Sequence, residues 1–253
     1  MIDVAIIASI VPERFELMRR SLVTWQNSIR AAGLAPGVQA QIYLYVEGAT
    51  LQEVFEHRPM AVECQVNATL ERSGSHIAGY NFWLDRVEAK TYLLTHSEML
   101  FPETTVKVAV ETVKPDVFAS FKTFWLPQYV TENLDAYNWQ QPETLEQNDD
   151  IYRLDPKQKG EFYWNTEVRG TKVYESTTTY AMEHDTLQKM LPFPDFGVWG
   201  PDDPWHLRKR RELGIKTVTV MEPILFHQDH ARLETLSQKE LTDLAKKSLG
   251  EEQ

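Results

Sequence analysis

The sequence predicts a single α/β domain with a mostly parallel sheet flanked by helices. Three observations support this. Short apolar, β-branched runs recur along the chain (Val4 to Ile10, Gln41 to Val46, Tyr92 to Leu94, Lys216 to Met221). Stretches with apolar residues at helical spacing separate many of them, which is the βαβ pattern. The length of 253 residues, 42% hydrophobic and 25% charged, suffices for one domain with a full core.

Val4 to Ile10, VAIIASI, is a continuous apolar run and reads as a buried parallel strand. From Pro12 to Ala32, Phe15, Leu17, Met18, Leu22, Trp25 and Ile29 recur near one side of a helix. Gly33 and Pro36-Gly37 end it. Gln41 to Val46 is the second strand, closed by Glu47-Gly48, and a third is expected around 61–66.

Arg72 to Ser75 is a polar, glycine-containing loop. It leads into a helix marked by Ile77, Tyr80, Leu84 and Val87. A short strand, Tyr92-Leu93-Leu94, comes next, and His96, Ser97 and Glu98 stand at its carboxyl end. Open α/β sheets bind ligands just beyond the carboxyl ends of their strands, so His96 and Glu98 are candidate site residues. The alternative is a pair of solvated loop residues. Pro102 to Val113 reads as a helix and Asp116 to Phe124 as a strand. Residues 127–161 lack periodicity and predict mostly loop with short helices; loops of this length often serve function. Phe162 to Tyr180 predicts two strands, and Asp185 to Leu191 a short helix.

The segment Phe193 to His230 carries the second cluster of polar residues. A Trp199-Gly200 turn precedes Asp202-Asp203, then a helix is expected from Pro204 to Leu213, closed by Gly214. The strand Lys216 to Met221 leads through Pro223 to His227. Acids at a helix start are also favoured as caps and by the helix dipole. Arg208 to Arg211 reads as a solvated helix face.

These two blocks, in this order, resemble the inverting, nucleotide-sugar-dependent GT-A glycosyltransferases. The first block has Gly74, Ala78 and Asn81, then His96 fifteen positions after Asn81, and Pro102 in register. The second has Asp203, Arg208 five positions later, a glycine ending the helix, a strand, Pro223 and His227. The departures are His96-Ser97-Glu98 in place of Asp-x-Asp, and Asp202 in place of the commoner Glu. Imidazole and carboxylate still ligate a divalent metal, Mn2+ more readily than Mg2+.

The resemblance implies roles. Asp203 is the general base; Asp202 and Trp199 lie on the acceptor side. Ser9, Val11, Glu47, Gly74 and His76 serve the nucleotide-sugar. His96, Glu98 and His227 hold Mn2+ or Mg2+, with His230 as the alternative to His227. Residues 1–115 form the nucleotide-sugar half, 116–232 the acceptor half, and 233–253 a C-terminal helix. The donor is expected to be a UDP-sugar and the acceptor a glycan, lipid-linked or other hydroxyl. A non-catalytic nucleotide-sugar or carbohydrate-binding domain is the alternative of another class, and a transferase acting on modified bases in nucleic acid is a further one.

Charge and cysteine content bound the setting. The net charge of −11 and pI near 5.2 argue against broad contact with a nucleic-acid backbone. The single cysteine, Cys64, forbids an intramolecular disulfide and points to the cytoplasm. No run has the roughly 18 apolar residues of a membrane span, and the start of the sequence lacks the pattern of a signal peptide.

Overall fold

The computed structural model describes residues 1–147, 161–162, 166–168, 171–173, 178–197 and 202–228. Expectations for Trp199, His230 and the helix at 233–253 fall outside these. The strands are β1 (Ile2–Ile10), β2 (Ala40–Glu47), β3 (Cys64–Thr69), β4 (Ala89–Thr95), β5 (Met99–Leu100), β6 (Val117–Trp125), β7 (Glu161–Phe162), β8 (Thr166–Val168), β9 (Thr171–Val173), β10 (Thr179–Glu183) and β11 (Lys216–His227). The α-helices are α1 (Phe15–Ala31), α2 (Leu51–His57), α3 (Ile77–Leu84), α4 (Thr105–Thr112), α5 (Gln128–Glu132), α6 (His184–Met190) and α7 (Asp202–Leu213).

The main sheet has the order β3-β2-β1-β4-β10-β6-β11-β5, with β7 beside β6. The strands β1, β2, β3, β4, β6 and β11 run one way, while β5, β7 and β10 oppose them. The mostly parallel sheet expected from sequence is therefore present, with β10 wedged antiparallel at its centre.

The continuous apolar run of β1 is explained by helices on both faces. Val4, Ile6 and Ala8 pack with Met18, Leu22 and Trp25 of α1, Val54 of α2 and Val106 of α4. Ala5 and Ile7 face the other way, with Ile77 and Tyr80 of α3, Leu187 of α6 and Trp205 of α7.

Several element boundaries differ from the sequence expectation. The helix expected from Pro12 is split: Pro12–Arg14 is a 3-10 turn, and α1 begins at Phe15. The third strand is 64–69 instead of 61–66, because the Val62 N–H turns back onto the Pro59 carbonyl. The helix expected from Pro102 starts at Thr105, where the Thr105 hydroxyl and N–H both reach the Pro102 carbonyl. Short helices do occur in 127–147, and they are packed: Leu126, Val130, Leu134 and Leu145 form a small core with Leu100, Phe124, Ile224 and Phe226.

Close packing of α3 depends on Gly79. A Cβ placed there would lie 2.7 Å from Tyr45 Cβ and 2.9 Å from Ser9 Cβ. Gly79→Ala forces the helix away from β1 and β2, and overpacking of this kind costs about 1–3 kcal/mol. A urea titration of Gly79→Ala is expected to give a lower midpoint with an unchanged slope. An unchanged midpoint means that the helix re-seats freely.

Candidate metal centre

Three chain segments meet at the carboxyl edge of the sheet: the turn after β1, the turn after β4, and the end of β11. The antiparallel pairing of β5 with β11 sets His227 opposite Met99 and so brings it beside Glu98. Gln228 locks the arrangement, its side-chain amide donating to the carbonyls of Glu98 (3.0 Å) and Leu17 (3.0 Å). The indole N–H of Trp25 donates to the Met99 carbonyl at 2.7 Å.

The result is convergence of His96, Glu98 and His227, with one ligand atom from each lying within 4.8 Å of the others. Glu98 Oε1 is 3.3 Å from His227 Nε2 and 3.7 Å from His96 Nδ1. Glu98 Oε2 accepts from the Ser97 hydroxyl at 2.9 Å. Glu98 is 1% exposed, which excludes the solvated-loop reading for it, whereas His96 keeps 18% of its side chain exposed; His227 is 1% exposed. The ring of His227 is stacked on Trp125 at 4.0 Å, which fixes its plane. Two imidazole nitrogens and a carboxylate oxygen in a water-poor site are donors suited to a divalent transition cation. The set fits such an ion.

One member of this centre escaped sequence reasoning. Arg14, in the 3-10 turn after β1, is 6% exposed and donates from Nη1 to Glu98 Oε1 at 2.8 Å. A buried carboxylate requires a compensating charge, and Arg14 supplies it. The only hint in the sequence is its place just past the first strand.

The candidate nucleotide residues border the same edge. Ser9 is buried beneath α3, and Val11 is extended and 7% exposed before the turn. Glu47 is 3% exposed, and its two oxygens accept from the backbone N–H (2.9 Å) and hydroxyl (2.6 Å) of Ser73. Glu47 thus holds the 72–75 loop. Arg72 of that loop bonds Glu13 at 2.8 Å and lies over Gly48. The carboxyl of Glu13 is held below its usual range by its own backbone hydrogen bond and then by Arg72. Gly74 has φ +79, and a Cβ there would meet the Gly197 carbonyl oxygen at 2.5 Å. His76 is buried, its ring 5.3 Å from that of His96.

Asp202 and Asp203 are the first residues of α7, which begins two positions before the expected Pro204. A proline in a first helical turn forfeits no hydrogen bond. Gly214 and Ile215 turn α7 directly into β11, with Arg210 bonded to Thr217 near the start of β11 and His206 meeting Tyr180 of β10. The solvated face expected for 208–211 is corrected at Arg210. It is 1% exposed, stacks its guanidinium 3.8 Å from the Phe118 ring centre, and donates to Thr217. Among the described residues no helix is long and apolar enough to cross a membrane.

No protein-family model matches the sequence, and neither does any curated protein. Solved structures do resemble it. PcManGT, a mannosyltransferase from Pyrobaculum calidifontis in complex with GDP-Man and Mn2+, is 14% identical with a TM-score of 0.55, over 88% of this chain and 56% of that one. TarS from S. aureus is 13% identical with a TM-score of 0.54, over 90% of this chain and 37% of that one. A shorter form of TarS, 1–349, gives 12% and 0.52, over 90% of this chain and 60% of that one. The chain thus spans about a third to three fifths of the length of these proteins. At these identities the likeness is one of fold: the chain carries a GT-A-like glycosyltransferase fold.

Proposed function

We propose that this protein is a glycosyltransferase that moves a sugar from a nucleotide-sugar, a UDP-sugar, to an acceptor hydroxyl with inversion and with a divalent metal, Mn2+ or Mg2+. The observation that carries the reading is the convergence of His96, Glu98 and His227 at the carboxyl edge of a GT-A-like sheet. A bound cation would supply positive charge beside the leaving diphosphate, which is where charge develops in the transfer.

The chain's own residues do the rest. Asp203 accepts the proton of the acceptor hydroxyl as that oxygen attacks the anomeric carbon. Asp202 and Trp199 orient the acceptor, which is a glycan, a lipid-linked sugar or another hydroxyl compound. Ser9, Val11, Gly74 and His76 border the nucleotide-sugar. Glu47 acts there through the 72–75 loop that it holds.

The test is incubation with UDP- and GDP-sugars and Mn2+, following release of the nucleoside diphosphate. Slow release from one donor, with an inverted anomer in the product, is expected. Binding of nucleotides without release from any donor identifies a non-catalytic binding domain instead. A second measurement addresses the metal. Mn2+ should raise affinity for UDP in the wild type and not in His96→Ala; equal dependence in both ends the assignment of His96.

A further inference from the structure

We propose that Arg14 is the resident counter-cation of the metal centre, and that it makes cation binding there depend on a bound diphosphate. The inference rests on the metal role proposed for His96, Glu98 and His227. The oxygen of Glu98 that faces both histidines is Oε1, and this is the atom that Arg14 already binds at 2.8 Å. The other oxygen is held by Ser97. A metal ion and a guanidinium therefore claim the same atom.

The balance of charge makes a lone cation unwelcome. Histidine ligates as neutral imidazole. Glu98 brings one negative charge and Arg14 one positive charge, so these four side chains offer a divalent cation no net negative charge. Glu98 and Arg14 are nearly fully buried, so solvent screens their charges little. A cation entering alone adds its two positive charges beside a guanidinium already buried there. A diphosphate brings the missing negative charge to Arg14 and the metal together. Each ligand then raises the affinity of the other by the same factor, as linkage requires.

The experiment titrates the full chain with Mn2+, alone and at saturating inorganic pyrophosphate, with protein-free titrations to correct for Mn2+ held by pyrophosphate in solution. Tryptophan quenching reports binding, since Trp125 is stacked on His227. In the wild type, pyrophosphate should tighten Mn2+ binding by about 10–100-fold, within the usual range of coupling. Arg14→Gln keeps a donor for Glu98 but removes the charge. It should bind Mn2+ alone about tenfold more tightly than the wild type, with the pyrophosphate effect reduced to a few-fold. Arg14→Lys should restore the wild-type pattern.

The wild-type titrations test the idea without any variant: equal Mn2+ affinity with and without pyrophosphate overturns it. An Arg14→Gln protein with unchanged affinity and coupling overturns it too. His96→Ala and His227→Ala separate the two claims. If neither weakens Mn2+ binding, the metal centre itself is wrong. If both do while the Arg14 results fail, only the role of Arg14 falls.

Discussion

Asp203→Asn is expected to lower turnover by about 10²–10⁴-fold, the usual contribution of a general base. Nucleotide binding should survive, because the role proposed for Asp203 is toward the acceptor and not the nucleotide. Asparagine caps a helix about as well as aspartate, so the melting temperature should hardly move. The measurement is steady-state turnover beside a nucleotide-binding isotherm and a thermal scan on the same preparation. If Asp203 merely favours the start of α7, turnover stays near normal. Asp202→Asn is the control and should raise the KM for acceptor more than it slows the chemical step. If Asp202 proves the more damaging position, the base is one residue earlier than proposed.

Glu98→Ala carries the largest expected effect on stability. It leaves the buried Arg14 guanidinium without the carboxylate that it meets at 2.8 Å. Breaking a buried pair by removing one partner costs about 3–5 kcal/mol. For a domain of this size that corresponds to a fall in melting temperature of roughly 10 °C. A solvated turn acid would instead change stability by less than about 0.5 kcal/mol. Calorimetry on Glu98→Ala and Glu98→Gln distinguishes these, with the glutamine variant falling between alanine and the wild type because it preserves shape and a hydrogen-bonding oxygen.

The parallel frame of the sheet was legible because β1, β2 and β4 are apolar, β-branched runs buried on both faces, while β11, whose Val218 and Met221 are exposed, was marked by β-branched residues and the apolar Ile224 to Phe226. The position of His96, Glu98 and His227 was legible for a related reason, since each comes after such a run. A local signal also marks α2. Thr50 and Glu53 form a capping box, with Thr50 Oγ1 accepting from the Glu53 N–H and Glu53 accepting from the Thr50 N–H. The spacing of Thr50 and Glu53 announces that helix.

Other features depend on tertiary context. Nothing local in Thr179–Glu183 says that it inserts antiparallel between β4 and β6, because alternation does not encode a partner. Arg210 reads as a surface cation and nothing local marks Arg14, since burial of a charge is decided by what packs around it. For Arg14 that partner, Glu98, is 84 residues away. Gln228 likewise owes its role to distant carbonyls.

The wedge formed by β10 has a consequence for how the protein is made. Strands β1 to β4 find one another within residues 2–95, but the free edge of β4 must wait for a partner from residues 179–183. Pairings between such distant segments form slowly, and unpaired edges invite association in the meantime. On a ribosome, the first half emerges with Arg14 and Glu98 already available to each other. His227 joins only when the last described strand docks against β6 and β5. A half-made chain in which these two meet would hold its acid neutralised by arginine while it lacks one of the three groups proposed to grip a cation. The capacity for metal proposed for this site would be acquired only with that strand, and a product truncated before it would be born without it.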